Sequence, residues 1–500
     1  MAGKVNTESH SIALSKSQFL LGLQCPKALW LARHAKELAA PISPSARMLF
    51  DQGHAVGQLA WELFPDGRLI LAEKEKIGKA LELTRQAVKD GVPAIYEGAA
   101  LYENVLIRAD ILVRAKGNSW ELIEVKSATK AEDVLLWDAA IQRYVLEGAG
   151  FNICKVGILL INSQYVRQGS IDAQKLFMLQ DVTKEIAARA SQTAAHIKSF
   201  KEVAFSKEMP QIKIGRQCDN PHQCPFYGYC WKDIPEGSIY ELTRLSAKKL
   251  ESLQKQEILM LSDIPEGFDL SPSQKLQVQT AKTKRARIDR QAIKKLIASL
   301  RYPIYFLDFE TLGPAIPLYD GMKPYQPLPF QASLHIQEHP GGEVSHIDYL
   351  GDGKSDPRPG LVQFLCENIG SAGSVIAYNK SFEGRCLSGL ADAFPKEANR
   401  LIGINDRLWD LAEPFQCGFY AHPQFHGSWS IKAVLPVIAP ELSYEDLTIG
   451  DGTAAQAAYF EMMKPDASAE KKARIAADLR KYCGRDTFGM VKILEFLSEI

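Results

Sequence analysis

Four of the nine cysteines constrain this 500-residue chain more than any other feature. Cys25 stands alone in LLGLQCPKALWL. Cys218, Cys224 and Cys230 stand together in CDNPHQCPFYGYC, with five residues between neighbours. A fold that uses all four must bring a point near the start of the chain against one almost two hundred residues later. Between them lie Asp110 and the run ELIEVKS, which supplies Glu124 and Lys126. Cys154, Cys366, Cys386, Cys417 and Cys483 are scattered and read as ordinary thiols.

The chain is long enough for two to four domains. It carries 59 Lys or Arg and 59 Asp or Glu, so a nucleic-acid partner would have to be held by a local basic patch. MAGKVNTESHSIALSKSQ lacks the apolar core of a secretory leader, and no apolar run approaches the ~20 residues that span a bilayer. The expectation is a cytoplasmic protein that does not enter a membrane, with its cysteines reduced or metal-bound rather than paired.

Apolar residues recur at three and four through SKSQFLLGLQCPKALWLAR and again through SARMLFDQGHAVGQLAWELF, predicting helices. LYENVLIRADILVRA and GNSWELIEVKSA read as strands joined by a turn at Lys116, Gly117 and Asn118. A helix around VLLWDAAIQRYVLEGAG, a buried strand VGILLIN and an Ala-rich helix near 181–202 lead to the cysteine trio. Residues 236–300 suggest short helices with a faint helix–hairpin–helix character and no glycine turn. Nine Lys or Arg stand against one Asp between Lys275 and Arg301. That run suits a nucleic-acid backbone, or equally a solvated helix face. From Tyr302 a new domain begins. It has a strand YPIYFLDFE, a hairpin turning at Gly341 and Gly342, a strand SVIAYN, helices around 381–394 and 429–438, and a long helix over 468–499.

Strand side chains alternate, so Glu124 and Lys126 share a face, and Asp110 on a neighbouring strand can join them. Two carboxylates can hold Mg2+ or Mn2+, whose bound water loses a proton readily, and the lysine can orient that water or offset phosphate charge. A surface ion pair is the plain alternative. Asp308 and Glu310 are likewise two apart at the end of a buried strand, where paired charges are costly without a cation. Tyr482 and Asp486 are four apart on one helix face. Asn379 and Glu383 follow the strand SVIAYN.

The first pattern, with its four cysteines, resembles the RecB-like PD-(D/E)XK nucleases that carry an iron–sulfur cluster, over residues 15–232. The resemblance implies a 4Fe-4S cluster on Cys25, Cys218, Cys224 and Cys230; a structural zinc is the alternative. It implies catalytic and metal-binding roles for Asp110 and Glu124, and a catalytic role for Lys126. Relatives carry a Gln–Tyr pair four apart on the next helix. Here Gln142 and Tyr144 are two apart, which leaves Gln142 as the candidate. His54 lies three residues before the place of the relatives' metal-binding histidine, where Gly57 falls.

The second pattern resembles the DnaQ-like DEDD exonucleases of the tyrosine subtype, over about 195 residues. It implies that Asp308, Glu310, Glu383 and Asp486 hold two metals ~4 Å apart, and that Tyr482 orients the attacking water. Glu383 stands where that family usually has Asp, and Asp410 where it often has a structural Asp. The whole arrangement resembles an uncharacterised bacterial family with a domain of unknown function at its C-terminus.

The expectation is thus an α/β chain in three parts. Residues 1–235 form a restriction-endonuclease-like core with an iron–sulfur staple. Residues 236–300 form a basic helical linker, and 301–500 an RNase H-like mixed-sheet domain. The expected activity is metal-dependent phosphodiester hydrolysis, with DNA ahead of RNA as substrate. Two other readings stay open: a non-catalytic nucleic-acid-end-binding or scaffold protein, and an RNA 3′–5′ exonuclease with a vestigial N-terminal half.

Overall fold

The computed structural model describes residues 12–71 and 76–500. The N-terminal stretch read for a leader therefore lies mostly outside the described residues. The protein is mixed α/β and divides into two compact units. One runs to Ile42 and then comprises Leu49–Asp233 and Pro314–Tyr325; the other comprises Ser43–Met48, Ile234–Gly313 and Gln326–Ile500. The segment 236–300, read as a linker, is packed into the second unit. Its Leu253, Leu261, Ile264 and Val278 form a small apolar cluster. Among the described residues no helix is long and apolar enough to cross a membrane.

The first unit is built on a mixed seven-stranded sheet. Its order is Arg68–Leu69, Ala94–Tyr102, Val105–Arg114, Trp120–Val125, Ile153–Ile161 and Phe177–Asp181, and Leu14–Ser15 pairs with Val105–Leu106. Trp120–Val125 and Ile153–Ile161 run parallel, so a crossover must join them. The helix Asp133–Gly148 supplies it. Trp120 and Leu122 pack under that helix with Ala139, Ile141 and Val145, whereas Ile123 and Val125 face a second core with Val56 and Leu159. Glu124 shares the face of Trp120 and Leu122, and so points into the helices rather than into water.

The second unit holds a five-stranded sheet in the order Val344–Leu350, Leu328–Gln337, Ile304–Leu312, Ser374–Ala377, Leu408–Asp410. The first two ladders are antiparallel and the last two parallel. Its central strand, IYFLDFETL, is buried on both faces, as its nearly continuous apolar run demands. Tyr305, Leu307 and Phe309 pack one way, with Leu361, Leu365 and Leu387. Ile304 and Phe306 pack the other way, with Met490, Ile493 and Leu497 of the long helix Ala469–Glu499. Asp308 and Glu310 have the parity of Ile304 and Phe306, so the strand period aims them at the helix that carries Tyr482 and Asp486.

Candidate functional site

The first centre lies in the first unit. Glu124 is fully buried, and Gln142 Nε2 donates to its Oε2 at 2.6 Å. Lys126 Nζ stands 2.6 Å from Glu124 Oε1. Asp110 accepts from the Val125 amide at 2.8 Å, which fixes it beside the end of the Glu124 strand. The structure thus brings together Asp110, Glu124, Lys126 and Gln142. Tyr144 points elsewhere, ring to ring with Tyr102 at 5.7 Å. His54 is exposed on the helix Pro44–Ala60, on the side of the centre where Glu97 stands.

Three side chains that the sequence reading passed over complete this centre. Asp138 is buried four residues before Gln142, and its Oδ2 takes Lys126 Nζ at 2.6 Å. Their spacing on one helix face was the signal available. Lys16 Nζ lies 3.1 Å from Glu124 Oε1 and 3.2 Å from Asp138 Oδ1. Glu97 stands opposite Asp110 where the ladder is interrupted between the pairs Tyr96↔Ile111 and Gly98↔Ala109. Its φ of 56° is strained for a non-glycine residue and marks the spot as special.

Burial raises the Asp110 and Glu97 carboxyls above the usual range, while Lys16 pulls both back down. Burial alone would lower Lys16, yet Glu124, Asp138 and Asp110 together carry it well above an ordinary lysine. Both lysines are therefore permanent cations. Gln142 turns its Nε2 to this cluster, and its Oε1 is a buried acceptor without a hydrogen-bond partner. Four carboxylates here face two ammoniums, with Asp110 and Glu124 the pair that could turn oxygens to a divalent cation.

The four cysteines line one cavity with Leu31 and Phe226. Cys25 is the C-cap of the helix Lys16–Gln24. The adjacent Gln24 Nε2 donates at 2.8 Å to the carbonyls of both Gln217 and His222, which ties the helix end to the loop of the trio. Burial pushes the Cys224 thiol up to about 11, and Cys25, Cys218 and Cys230 add to the shift. The only trio of His, Cys, Asp or Glu ligand atoms within 4.8 Å of one another, among the described residues, is Asp308, Glu310 and Cys483.

The second centre lies in the second unit and is more acidic. Asp308, Glu310, Glu383 and Asp486 are held by the central strand, the first turn of the helix Ser381–Ala393, and the long C-terminal helix. Burial, and then their mutual repulsion, raises Asp308, Glu310 and Glu383 well above the normal carboxylate range. Asp486 is raised to about 6 by burial, moderated by hydrogen bonds from Tyr444 and Tyr482 and by the charge of Lys432. Glu383 Oε2 is buried without a partner. Four carboxylates with an orphaned oxygen and one neighbouring ammonium suit divalent cations.

Lys432 and Tyr444 were not foreseen. Lys432 Nζ donates to the Tyr482 hydroxyl at 3.0 Å and to the Gly450 carbonyl at 2.8 Å. It also lies 4.9 Å from the Tyr482 ring centre. Burial and the nearby carboxylates raise both tyrosines far above their normal value, so they stay neutral phenols that donate. Asp410 adds its charge to Glu383 from a place held by backbone amides. Its Oδ1 accepts from the amides of Asn379 at 2.9 Å and Ala412 at 3.0 Å. Asn379 has φ 67°, and Asp410 thus secures the sharp turn that starts the Glu383 helix. Cys483, read as a scattered thiol, is buried with its Sγ 3.4 Å from Asp308 Oδ2.

A family model described as a domain of unknown function, DUF2779, matches residues 305–430. An uncharacterised protein of Mycoplasma pneumoniae is 29% identical over 218 residues, covering 39% of this chain and 32% of its own length. A Mycoplasma genitalium protein, also uncharacterised, is 26% identical over 215 residues, with 39% and 32% covered. One from Ureaplasma parvum is 26% identical over 231 residues, with 42% and 33% covered. The chain spans about a third of the length of these relatives. The segment that matches this model holds Asp308, Glu310, Glu383 and Asp410, while Tyr482 and Asp486 lie beyond it.

Proposed function

We propose that this protein is a metal-dependent nuclease with two active centres, a RecB-like one at Glu124 and a DEDD-type 3′–5′ exonuclease at Asp308. The observation that carries the reading is the clustering of Asp308, Glu310, Glu383 and Asp486, three of them buried, where burial and mutual repulsion raise the carboxyls of Asp308, Glu310 and Glu383. Such a cluster is stable only when protonated or when it holds cations. The sheet order supports an RNase H-like assignment: a central first strand, an antiparallel hairpin on one side and two parallel strands on the other. Mg2+ or Mn2+ bound there would activate a water and neutralise charge on the phosphate. Tyr482, held by Lys432 and facing Asp486, would orient that water. Asp410 would keep the Glu383 helix in place, and the longer Glu383 side chain would cover the reach of the usual Asp.

The Glu124 centre supports the companion reading through its combination of Asp110, Glu124, Lys126 and Gln142. Four thiols gathered around one cavity suit a 4Fe-4S cluster, with a single zinc as the alternative. A groove of about 670 Å3 in the second unit, lined in part by Lys275, Arg287, His422, Tyr420 and Trp429, offers the cation-and-aromatic surface that suits a single strand. One observation favours a second reading, an RNA exonuclease with an inert first centre: Lys16 and Lys126 already neutralise Glu124 and Asp138.

The test is a cleavage panel of single- and double-stranded DNA and RNA with Mg2+ and Mn2+. Asp308→Ala should reduce mononucleotide release from a 5′-labelled strand by about a thousandfold or more. Tyr482→Phe should cost only about ten- to a hundredfold. Glu124→Ala should leave that release intact and abolish a separate cleavage. If wild type and Asp308→Ala degrade every substrate equally, the exonuclease reading fails.

A further inference from the structure

The Glu124 centre contains one ammonium more than its sequence pattern requires. Lys16 begins the helix Lys16–Gln24, far from Glu124 in sequence, and three features fix it there. Leu14 and Ser15 pair in parallel with Val105 and Leu106, on the strand that carries Asp110. Ser15 closes a capping box with Gln18. At Gly22 a Cβ would lie 2.9 Å from the Phe200 ring, so the helix is pressed onto its neighbour and cannot roll. The ammonium thus arrives on a rigid element rather than on a mobile loop.

Its contacts form a closed ring. Lys16 touches Glu124 Oε1 and Asp138 Oδ1; Lys126 touches Glu124 Oε1 and Asp138 Oδ2. Gln142 Nε2 bridges the same two carboxylates, at 2.6 Å from Glu124 Oε2 and 2.9 Å from Asp138 Oδ1. The carboxylate side chains are 0% and 4% exposed, and each lysine is 24% exposed. The anions lie beneath, with the cations at the open side. A surface ion pair would have both partners in water.

We propose that Lys16 is a positioning residue of the Glu124 centre, holding Glu124 and Asp138 against Lys126 and thereby restraining a divalent cation bound at Glu124. This rests on reading that centre as a cation-dependent nuclease site. Lys16 shares Glu124 Oε1 with Lys126, so it opposes a cation bound to that oxygen. Removing it must strengthen cation binding while loosening the two carboxylates. These effects have opposite signs, which separates the role from a merely structural one.

The experiment uses the full chain with the second centre disabled by Asp308→Asn and Asp486→Asn. Mn2+ alone is titrated by electron paramagnetic resonance, and cleavage is measured in parallel. Lys16→Met should tighten Mn2+ at least about fivefold and lower kcat about ten- to a hundredfold, with KM little changed. Lys16→Arg should keep the affinity within about twofold and recover part of kcat. Folding of each variant is checked by circular dichroism and iron content. Unchanged or weaker Mn2+ binding in folded Lys16→Met overturns the assignment, even where wild type cleaves. Tighter Mn2+ binding in a protein that cleaves nothing upholds Lys16 and overturns the nuclease reading. Mn2+ binding that Glu124→Ala leaves unchanged overturns both.

Discussion

In the Glu124 centre two ammoniums stand within 3.2 Å of two buried carboxylates, and an amide links the pair. In the Asp308 centre Lys432 offsets Asp308, Glu310 and Asp486 only from a distance, since its hydrogen bonds go to a tyrosine hydroxyl and a backbone carbonyl. Both centres place acids at the end of a buried strand beneath a helix. They differ in what neutralises those acids. The first carries its own counter-charge on two lysines. The second leaves carboxyls raised toward protonation and one oxygen without a partner. The same residue type at the same kind of position is thus stabilising in one unit and a stored cost in the other.

The largest effect should come from cutting the tether behind the first centre. Cys25 ends the helix that Lys16 begins, so Cys25→Ser should remove the proposed cluster, lower the melting temperature of the first unit by roughly 10 °C or more, and abolish the cleavage proposed for the Glu124 centre. The Asp308 centre should keep its activity. Full iron content with an unchanged melt would show that the cysteines are not a metal site.

Next comes a pair of matched substitutions expected to move stability in opposite directions. Glu124→Gln breaks a ring in which two lysines depend on one carboxylate, and should destabilise the metal-free protein by about 3 kcal/mol. Glu383→Gln removes a buried charge whose Oε2 has no partner, and should stabilise it by about 1–2 kcal/mol. It should also reduce the extra stability that Mn2+ confers. Denaturant melts with and without Mn2+ check both, and shifts of the same sign would break the comparison.

The comparison also shows how far the sequence could be read. Asp308 and Glu310, Glu124 and Lys126, and Tyr482 and Asp486 are legible because each pair is set by the local period of one strand or helix. The strands Val105–Arg114 and Trp120–Val125 declared themselves through their turn at Lys116–Asn118. Ala94–Tyr102 did not, since AIYEGAALY mixes Gly98 and small residues and lacks alternation. Glu97 was missed with it. Lys16, Asp138, Lys432 and Tyr444 were missed for another reason. They meet their partners through packing between elements distant in sequence, and a lysine in a first turn looks the same whether it faces water or a carboxylate. The counter-charges that distinguish the two centres were therefore the part that the sequence concealed.

A pH series sharpens the second half of the comparison. Asp486 is raised to about 6 in the folded protein, against about 3.9 in an unfolded chain. Between these values the folded state binds more protons than the unfolded one, so stability falls as pH rises. Asp308, Glu310 and Glu383 shift in the same direction. The metal-free second unit should lose on the order of 2–3 kcal/mol from Asp486 alone between about pH 4 and pH 6. Saturating Mn2+ should flatten that slope. The reverse slope without metal would mean that the cluster is already compensated, like the first.

The smallest effect concerns binding rather than either centre. Lys282, Lys284, Arg285 and Arg287 follow one another closely at the end of the helix Pro272–Thr283 and just beyond it. Their exposure fits contact with phosphates, although two of them already have backbone partners. Lys282 Nζ donates to the Ile264 carbonyl, and Arg287 Nη1 to the Gly418 carbonyl beside the groove. A cation spent partly on a carbonyl keeps its charge, so its long-range attraction survives while its freedom to follow a phosphate shrinks. Neutralising all four with glutamine should therefore weaken single-strand binding only modestly at high salt and more at low salt. The slope of log affinity against log salt should become shallower by about two to three. Binding should be measured with the Asp308 and Glu124 centres both disabled, so that cleavage does not consume the probe. An unchanged slope would assign the basic run to solvation and leave the path of the strand to the aromatic side of the groove.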